Sequence, residues 1–477
     1  MVQALVLQQQ VPPAMARFWP QSPGFCVGTS IAESGLDSTQ EKKSMSTAAT
    51  AVKLPVISPS RSSTHTHAGA KITGSSDELR TQKDYIAHAK KVHAYSPAVG
   101  RLFDLYENYI PDAEAAYASG KKNAIFGGGF GWTSPLIYSL DTIPVAYGEM
   151  GRLADQDVMS IAEDYYQFPV ETCSMVKCVV GQWHLRRNNP KAIKKVLGAS
   201  GQCEPYNMAW EIMKKEGYDV HTIDVLYRSG STNGKRLEDL ITFFIKQVHS
   251  IVEWVTGSPE INEERLRFEL LRQNRIQKKV RRILDLRLKH PFYLKTLPTI
   301  VLLNIGLGSY YGKPEEYEAV VDQLLAELAS AESNPDDLRR VIPLVWAGGT
   351  GQEFGIYEAI DQAGGALLGL RSAPLKPYRE DVPPLEALAR YTYDNLQGGS
   401  GIFVQELLER EVKKVNARGI VLYGVIGCSF QSIDKEMWRD HFHKQGIPSI
   451  NLEGSFQVGA PTGQLMTRVK AFIEMLQ

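Results

Sequence analysis

Cysteine is scarce in this sequence. Its 477 residues hold five: Cys26, Cys173, Cys178, Cys203 and Cys428. So few thiols in so long a chain exclude a disulfide-scaffolded secreted domain. Net charge is missing too, since 53 Lys and Arg balance 53 Asp and Glu. A neutral chain has no strong field for coating nucleic acid or lying on an anionic membrane surface. No apolar run reaches the roughly 18 residues that a membrane-spanning helix needs. Familiar hydrolase motifs are absent as well. There is no HExxH helix and no GxSxG elbow, and His184, His221, His290, His441 and His443 form no metal-binding pattern. What remains is ordinary for a folded protein: 43% hydrophobic and 22% charged residues, which excludes global disorder. A chain of this length buries a large core and divides into two or three domains.

Residues 1–78 carry little periodicity and are rich in Ser, Thr, Ala, Gln and Pro. Such a segment buries too little apolar surface to offset its ordering entropy, so it is expected to be a disordered or non-native extension. It lacks the basic start, apolar run and small-residue cleavage site of a secretory signal. It fits a mitochondrial presequence poorly, because Arg is sparse and Glu33, Asp37 and Glu41 intrude. The stretch Gln40-Glu41-Lys42-Lys43-Ser44 precedes Met45, and one codon choice for Gln-Glu contains a purine-rich ribosome-binding sequence. Met45 is therefore expected to be the true start, with residues 1–44 upstream sequence read in frame. Cys26 then drops out.

Beyond residue 78 the chain alternates short apolar runs, glycine turns and amphipathic helices. Asp84–Tyr106 has helical spacing. Ala124–Phe126 reads as a strand, Gly127–Gly131 as a turn, Pro135–Leu140 as the start of a short helix and Ile143–Tyr147 as the next strand. The same grammar recurs at Met208–Glu216 and Tyr218–Tyr227. It returns in VIPLVWAGGTG with its helix Glu353–Gly364, and in GIVLYGVIGCS with its helix Ile433–Gln445. This alternation predicts an α/β protein with two doubly wound parallel-sheet units of Rossmann or flavodoxin type, at 79–232 and 336–477. A helical region, 233–335, joins them. Its centre, EERLRFELLRQNRIQKKVRRILDLRLKH, is strongly basic, with Leu266, Leu270, Ile276, Val280, Ile283 and Leu284 on one helical face. The plain reading is a solvated basic face on a packed helix. The sharper one is attraction of an acidic partner or of coenzyme phosphates.

Two glycine turns invite a phosphate-loop reading, Gly127-Gly128-Gly129-Phe130-Gly131 and Gly348-Gly349-Thr350-Gly351. The first lacks both the Lys-Ser/Thr ending of a Walker A motif and the spacing of a dinucleotide fingerprint. A tight strand-to-helix turn is the better reading there, and the second shares the ambiguity. The cysteines say more by position than by spacing. Cys173 follows AEDYYQFPVET and opens a helix over Ser174–Leu185. Cys203 follows a helix and Gly201-Gln202 and opens another helix. Cys428 follows the strand Ile420–Ile426 and Gly427 and opens a third. A helix start lowers a thiol's pKa and suits a ligand of soft metals or iron–sulfur clusters. From the residues alone, buried small hydrophobes remain the competing reading. Cys178 lies five residues along the helix from Cys173, points elsewhere and reads as core.

The end of the chain adds a resemblance. GQLMTRVKAFIEML (Gly463–Leu476) resembles the closing signature of the 2-hydroxyacyl-CoA dehydratase and benzoyl-CoA reductase family, as does the preceding block of Cys428, a helix and GIPSINLEGSF. AEDYYQFPVETCSMVKCVVG and GASGQCEPYNMAW look like the family's first and second cysteine regions. The resemblance covers about residues 79–477. It implies a [4Fe–4S] cluster held by Cys173, Cys203 and Cys428, a homologous sister subunit, an acyl-CoA substrate and an iron–sulfur activator ATPase. ATP hydrolysis would belong to that activator, which suits the missing Walker A motif. In the dehydratases of the family one electron makes a ketyl radical from a 2-hydroxyacyl-CoA, so that the hydroxyl can leave; in the reductases an aromatic ring is reduced.

SMVKCVVG and the span from Met45 look more like a reductase subunit. The expectation is therefore the iron–sulfur subunit of a cytoplasmic, ATP-dependent benzoyl-CoA reductase-type hetero-oligomer of anaerobic aromatic degradation. The alternatives are a 2-hydroxyacyl-CoA dehydratase subunit and an electron-relay or non-catalytic partner subunit. Gly427 and Ser429 flank Cys428 and are candidates to offer N–H groups to cluster sulfur, while Gln464 and Arg468 read as structural. The sequence departs from the family at Thr133-Ser134-Pro135-Leu136, where a Pro-Glu pair is usual, and that Glu's role is not carried over. Cys178 and Trp183-His184 are also unusual.

Overall fold

The break between the first two helices follows from a single proline. The spacing of Asp84–Tyr106 predicts one helix, but the chain forms α1 (Gln82–Val92) and α2 (Pro97–Ala118). Pro97 disfavours helical geometry in the residue before it and suits a first helical position. Ser96 then caps α2, its Oγ accepting from the Val99 N–H at 3.2 Å. The structure, a computed structural model, describes residues 82–477 apart from 128–132, 154–157, 201–202, 227–231, 333–335, 350–352, 371–375, 396–400 and 457–462. The expectations for residues 1–78, for Gly128–Gly131 and for Thr350-Gly351 lie outside the described residues.

The first sheet is built from β1 (Asn123–Gly127), β2 (Thr142–Ala146), β3 (Lys195–Ser200) and β4 (Asp219–Asp224). Its strands are all parallel, in the order β2-β1-β3-β4. Helices α3 (Thr133–Ser139), α4 (Ser174–Arg186) and α5 (Glu204–Lys215) lie in its connections. Strand β3 corrects the sequence reading of a helix before Cys203. The run Ala-Ile-Lys-Lys-Val-Leu carries good helix formers, but the segment sits between β1 and β4, where Val196–Ala199 are buried. Tertiary pairing overrides weak local preference there.

The second sheet repeats the pattern. It contains β5 (Ile342–Gly348), β6 (Gly365–Leu370), β7 (Gly419–Val425) and β8 (Ser449–Gly454), parallel and in the order β6-β5-β7-β8. Strands β6 and β7 are buried at every position, as expected of parallel strands covered on both faces. Around this sheet lie α11 (Gly355–Gln362), α12 (Pro384–Asp394), α13 (Gly401–Val415), α14 (Ser429–Lys444) and α15 (Gly463–Met475). Helix α14 starts four residues before the expected Ile433. Arg468, on α15, donates to the Asn451 carbonyl at 2.6 Å and ties that helix to β8, while Gln464 is exposed. The expected α/β class is thus the observed one.

Between the sheets come α6 (Gly234–Thr256), α7 (Glu263–Arg287), the short pieces α8 (Thr296–Val301) and α9 (Leu307–Ser309), and α10 (Pro314–Ser330). On α7, Leu266, Leu270, Ile276, Val280 and Ile283 are buried and Leu284 is half-buried. The basic face of α7 meets acidic side chains of α10. Arg275 bonds Glu318 through both Nε and Nη2 at 2.7 Å. Lys279 reaches Glu318 at 2.8 Å and Asp322 at 2.7 Å, and Arg272 reaches Glu315 at 2.8 Å. These positions are therefore neither a free solvated face nor a free site for an external anion. Each partly exposed pair adds only about 0.2–1 kcal/mol, so the pairs set helix register more than stability. The main core runs from Tyr85 to Leu476 and takes in Phe126 and Val196 of the first sheet and Leu344 and Val421 of the second. No described helix is long and apolar enough to cross a membrane.

Candidate functional site

In each sheet the strand order reverses beside the first strand, and open α/β sheets bind ligands at the carboxyl ends of strands beside such a point. Strands β3 and β7 hold the same place in their two sheets. Cys203 follows β3 and is the N-cap of α5; Cys428 follows β7 and is the N-cap of α14. The two thiols thus stand at equivalent points of two like-ordered sheets. Cys173 is the N-cap of α4 but does not follow a strand. It ends a loop that leaves a π-helical turn, Ile161–Tyr165.

Two backbone contacts join the Cys173 loop to the Cys428 loop. The Ser174 N–H donates to the Ile426 carbonyl at 3.0 Å. Gly427, at φ +78°, packs so closely that an added Cβ would lie 2.5 Å from the Glu171 carbonyl oxygen. The Phe456 N–H adds a bond to Ser174 Oγ at 3.1 Å. On the other side of Cys173, the buried Lys177 ammonium donates to the Val170 carbonyl and to Glu163, each at 2.7 Å. These contacts bring together Cys173 and Cys428, which are far apart in sequence, and Cys203 lies near them. Cys173 hydrogen-bonds Cys428, and Cys203 lies within electrostatic reach of Cys428. All are free thiols. Cys178 is fully buried in the main core, on the same helix as Cys173.

The thiols are poorly placed to ionise on their own. The hydrogen bond that the Cys173 S–H donates to Cys428, followed by burial and by repulsion between the two sulfurs as thiolates, pushes the Cys173 thiol up. Burial does the same to Cys203, with a smaller push from Cys428. Helix N-termini oppose this. The Val176 and Met175 N–H groups favour the Cys173 thiolate and the Tyr206 N–H favours that of Cys203, although neither side chain closes a full capping bond. Among the described residues, no cation figures among the groups that shift Cys173 or Cys203. Among the described residues, no group of three or more His, Cys, Asp or Glu side chains is arranged to hold a single metal ion. A cluster places a different requirement on the site, because each thiolate takes its own iron. Three thiols at helix starts fit that soft donor set.

The site contains residues that sequence reasoning missed. Tyr206 lies three residues after Cys203, and N-cap and third helical positions share a face, so the spacing held a usable signal. Glu353, after β5, is buried; it accepts from the Tyr423 hydroxyl at 3.1 Å and from the Ser455 N–H. Nothing in the sequence around Glu353 marks it. Burial pushes its carboxyl up to about 7, against the help of those two donors. Burial likewise brings Glu269 and Glu411 to about 7. The unfolded chain releases these protons near the ordinary value of 4.5, the folded chain only near 7. Stability is therefore highest below about pH 4.5 as far as these groups go, and is lost as pH rises through about 7. Glu353→Gln is expected to remove its share, on the order of 3 kcal/mol at most. Thermal unfolding across pH 4–8 should show the variant gaining on the native chain through that window. A variant equally destabilised at both ends would contradict this reading of Glu353.

Two like-ordered parallel sheets, each with a thiol after its third-placed strand, and a third thiol on the loop that meets them define an α/β protein with one shared cysteine site. The family model described as 2-hydroxyglutaryl-CoA dehydratase, D-component, matches residues 132–476. The chain belongs to that family, whose members are components of CoA-thioester dehydratase enzymes. All three cysteines and the closing signature fall within the matched span. The description names a dehydratase and no aromatic substrate. A search of curated proteins gives no match.

Proposed function

We propose that this chain is the cluster-bearing component of an enzyme acting on an acyl-CoA thioester, with Cys173, Cys203 and Cys428 as ligands of one [4Fe–4S] cluster. The observation that carries this reading is the convergence of three helix-capping thiols within the span of the family match. When bound, the cluster would supply one-electron chemistry and, with only three protein thiolates, an iron open to a substrate oxygen. The protein's part is to hold the thiolates, exclude water and fix the site where the two sheets' loops meet. Low-potential electrons would come from a separate activator ATPase, and a homologous sister subunit would complete the enzyme. Exposed Val170 and Ile426, at 66% and 49%, flank the Cys173 and Cys428 loops and suit a face covered by a partner. An oxygen-sensitive centre of this kind belongs in a reducing cytoplasm.

The family description favours loss of water from a 2-hydroxyacyl-CoA, whereas SMVKCVVG favours reduction of an aromatic acyl-CoA. The complete enzyme, supplied anaerobically with activator, ATP and reductant, separates the two. Loss of water from a 2-hydroxyacyl-CoA, read by mass spectrometry, supports the dehydratase reading. Gain of two hydrogens by an aromatic acyl-CoA supports the reductase. An iron-loaded complex that converts neither, and whose spectrum ignores both thioesters, would leave this chain an electron relay.

A further inference from the structure

We propose that the Tyr206 hydroxyl donates a hydrogen bond to the thiol-bound cluster and raises its reduction potential. The inference rests on the cluster reading above and adds a residue outside the ligand set. Tyr206 is 5% exposed, yet its hydroxyl has no hydrogen-bond partner. Three other buried tyrosines do find one: Tyr109 donates to the Pro144 carbonyl at 2.8 Å, Tyr218 to the Trp183 carbonyl at 2.7 Å and Tyr317 to the Leu302 carbonyl at 2.7 Å. An unpaired buried hydroxyl is costly, so its persistence calls for an acceptor.

The acceptor's place is set by the neighbours. The Tyr206 hydroxyl is within electrostatic reach of Cys173, Cys203 and Cys428 together. The ring cannot swing to solvent without losing its packing. It stacks on Trp210 at 4.9 Å and 12° and meets Tyr147 at 4.9 Å. Asn207 Oδ1 and Trp210 Nε1, on the same stretch of α5, are also buried without partners. Burial holds the phenol proton well above its ordinary pKa, so the group is a donor at any working pH. A donor to cluster sulfur stabilises the more negative, reduced state, and hydrogen bonds of this kind are a known lever on cluster potential.

The test is Tyr206→Phe in the anaerobically purified, iron-loaded protein. The variant should keep the native iron content, because no ligand changes. Its midpoint potential, read by EPR during redox titration, should fall. At a fixed ambient potential the reduced-to-oxidised ratio should drop about tenfold, equal to about 59 mV for a one-electron couple. Electron–nuclear double resonance on the reduced native protein should show a proton coupling that exchanges in deuterated water and is absent in the variant. An iron-replete variant at the native potential, or a native spectrum without that coupling, overturns the inference while leaving the cluster reading intact. Iron-free native protein overturns both.

Discussion

Cys428→Ser is expected to cost the protein most of its iron without unfolding it. Cys428 is the hinge of the triad, since it contacts Cys173 and is the sulfur that Cys203 senses. Serine is nearly isosteric and a better helix N-cap than cysteine, so α14 should keep its start. What changes is the donor: a soft thiolate becomes a hard, protonated hydroxyl that holds iron poorly. Disturbing the support of a metal ligand already costs 10–100-fold in affinity, so loss of the ligand itself should reduce bound iron at least about tenfold. Cys178→Ser is the control. It places a hydroxyl in the apolar core, so it should lower stability by about 1–3 kcal/mol and leave iron bound. Full iron retention in Cys428→Ser, with unchanged thermal unfolding, would remove Cys428 from the ligand set.

Gly427→Ala should damage both fold and site, since it acts where the two cysteine loops touch. A non-glycine residue at φ +78° costs about 1–2 kcal/mol. The new methyl would also press on the Glu171 carbonyl at 2.5 Å and on Thr172 at 2.8 Å. Relief requires the loops to part, which breaks the Ser174-to-Ile426 backbone bond and separates Cys173 from Cys428. The combined loss is expected near 2–4 kcal/mol, with iron yielding faster to a chelator. Gly446→Ala isolates the strain, since Gly446 has φ +75° and nothing within 4 Å of its added Cβ. Equal losses in the two variants would show that the contact with Glu171 does not matter.

Much of this fold is legible from pattern alone. The buried runs of β5 and β7 and the apolar stripe of α7 have unambiguous periods, and each is where the sequence places it. Candidate ligands were legible by position, because a cysteine at a helix start is a local feature. Their meeting was implied by the family resemblance and by no local pattern. It depends on Gly427 lying against Glu171, a contact between distant segments that no local rule encodes. Strand β3 was hidden because the run at residues 192–197 carries good helix formers and its extended form is stabilised by its neighbours β1 and β4. The shared strand order of the two sheets was hidden because their sequences do not repeat. The basic face of α7 was legible as charge, but its partners on α10 emerge only when the helices pack. Tyr206 and Glu353 stand apart, since their interest lies in burial and in a missing or unusual partner.

One measurement tests the joint thiol site most directly: iron and acid-labile sulfide per chain in native protein purified without oxygen, with a Mössbauer spectrum of the same sample. About four irons and four sulfides per chain, with one iron spectroscopically distinct from the other three, are the expected result. Colourless, iron-free protein after strictly anaerobic purification would contradict the assignment of Cys173, Cys203 and Cys428 as the ligands of one cluster.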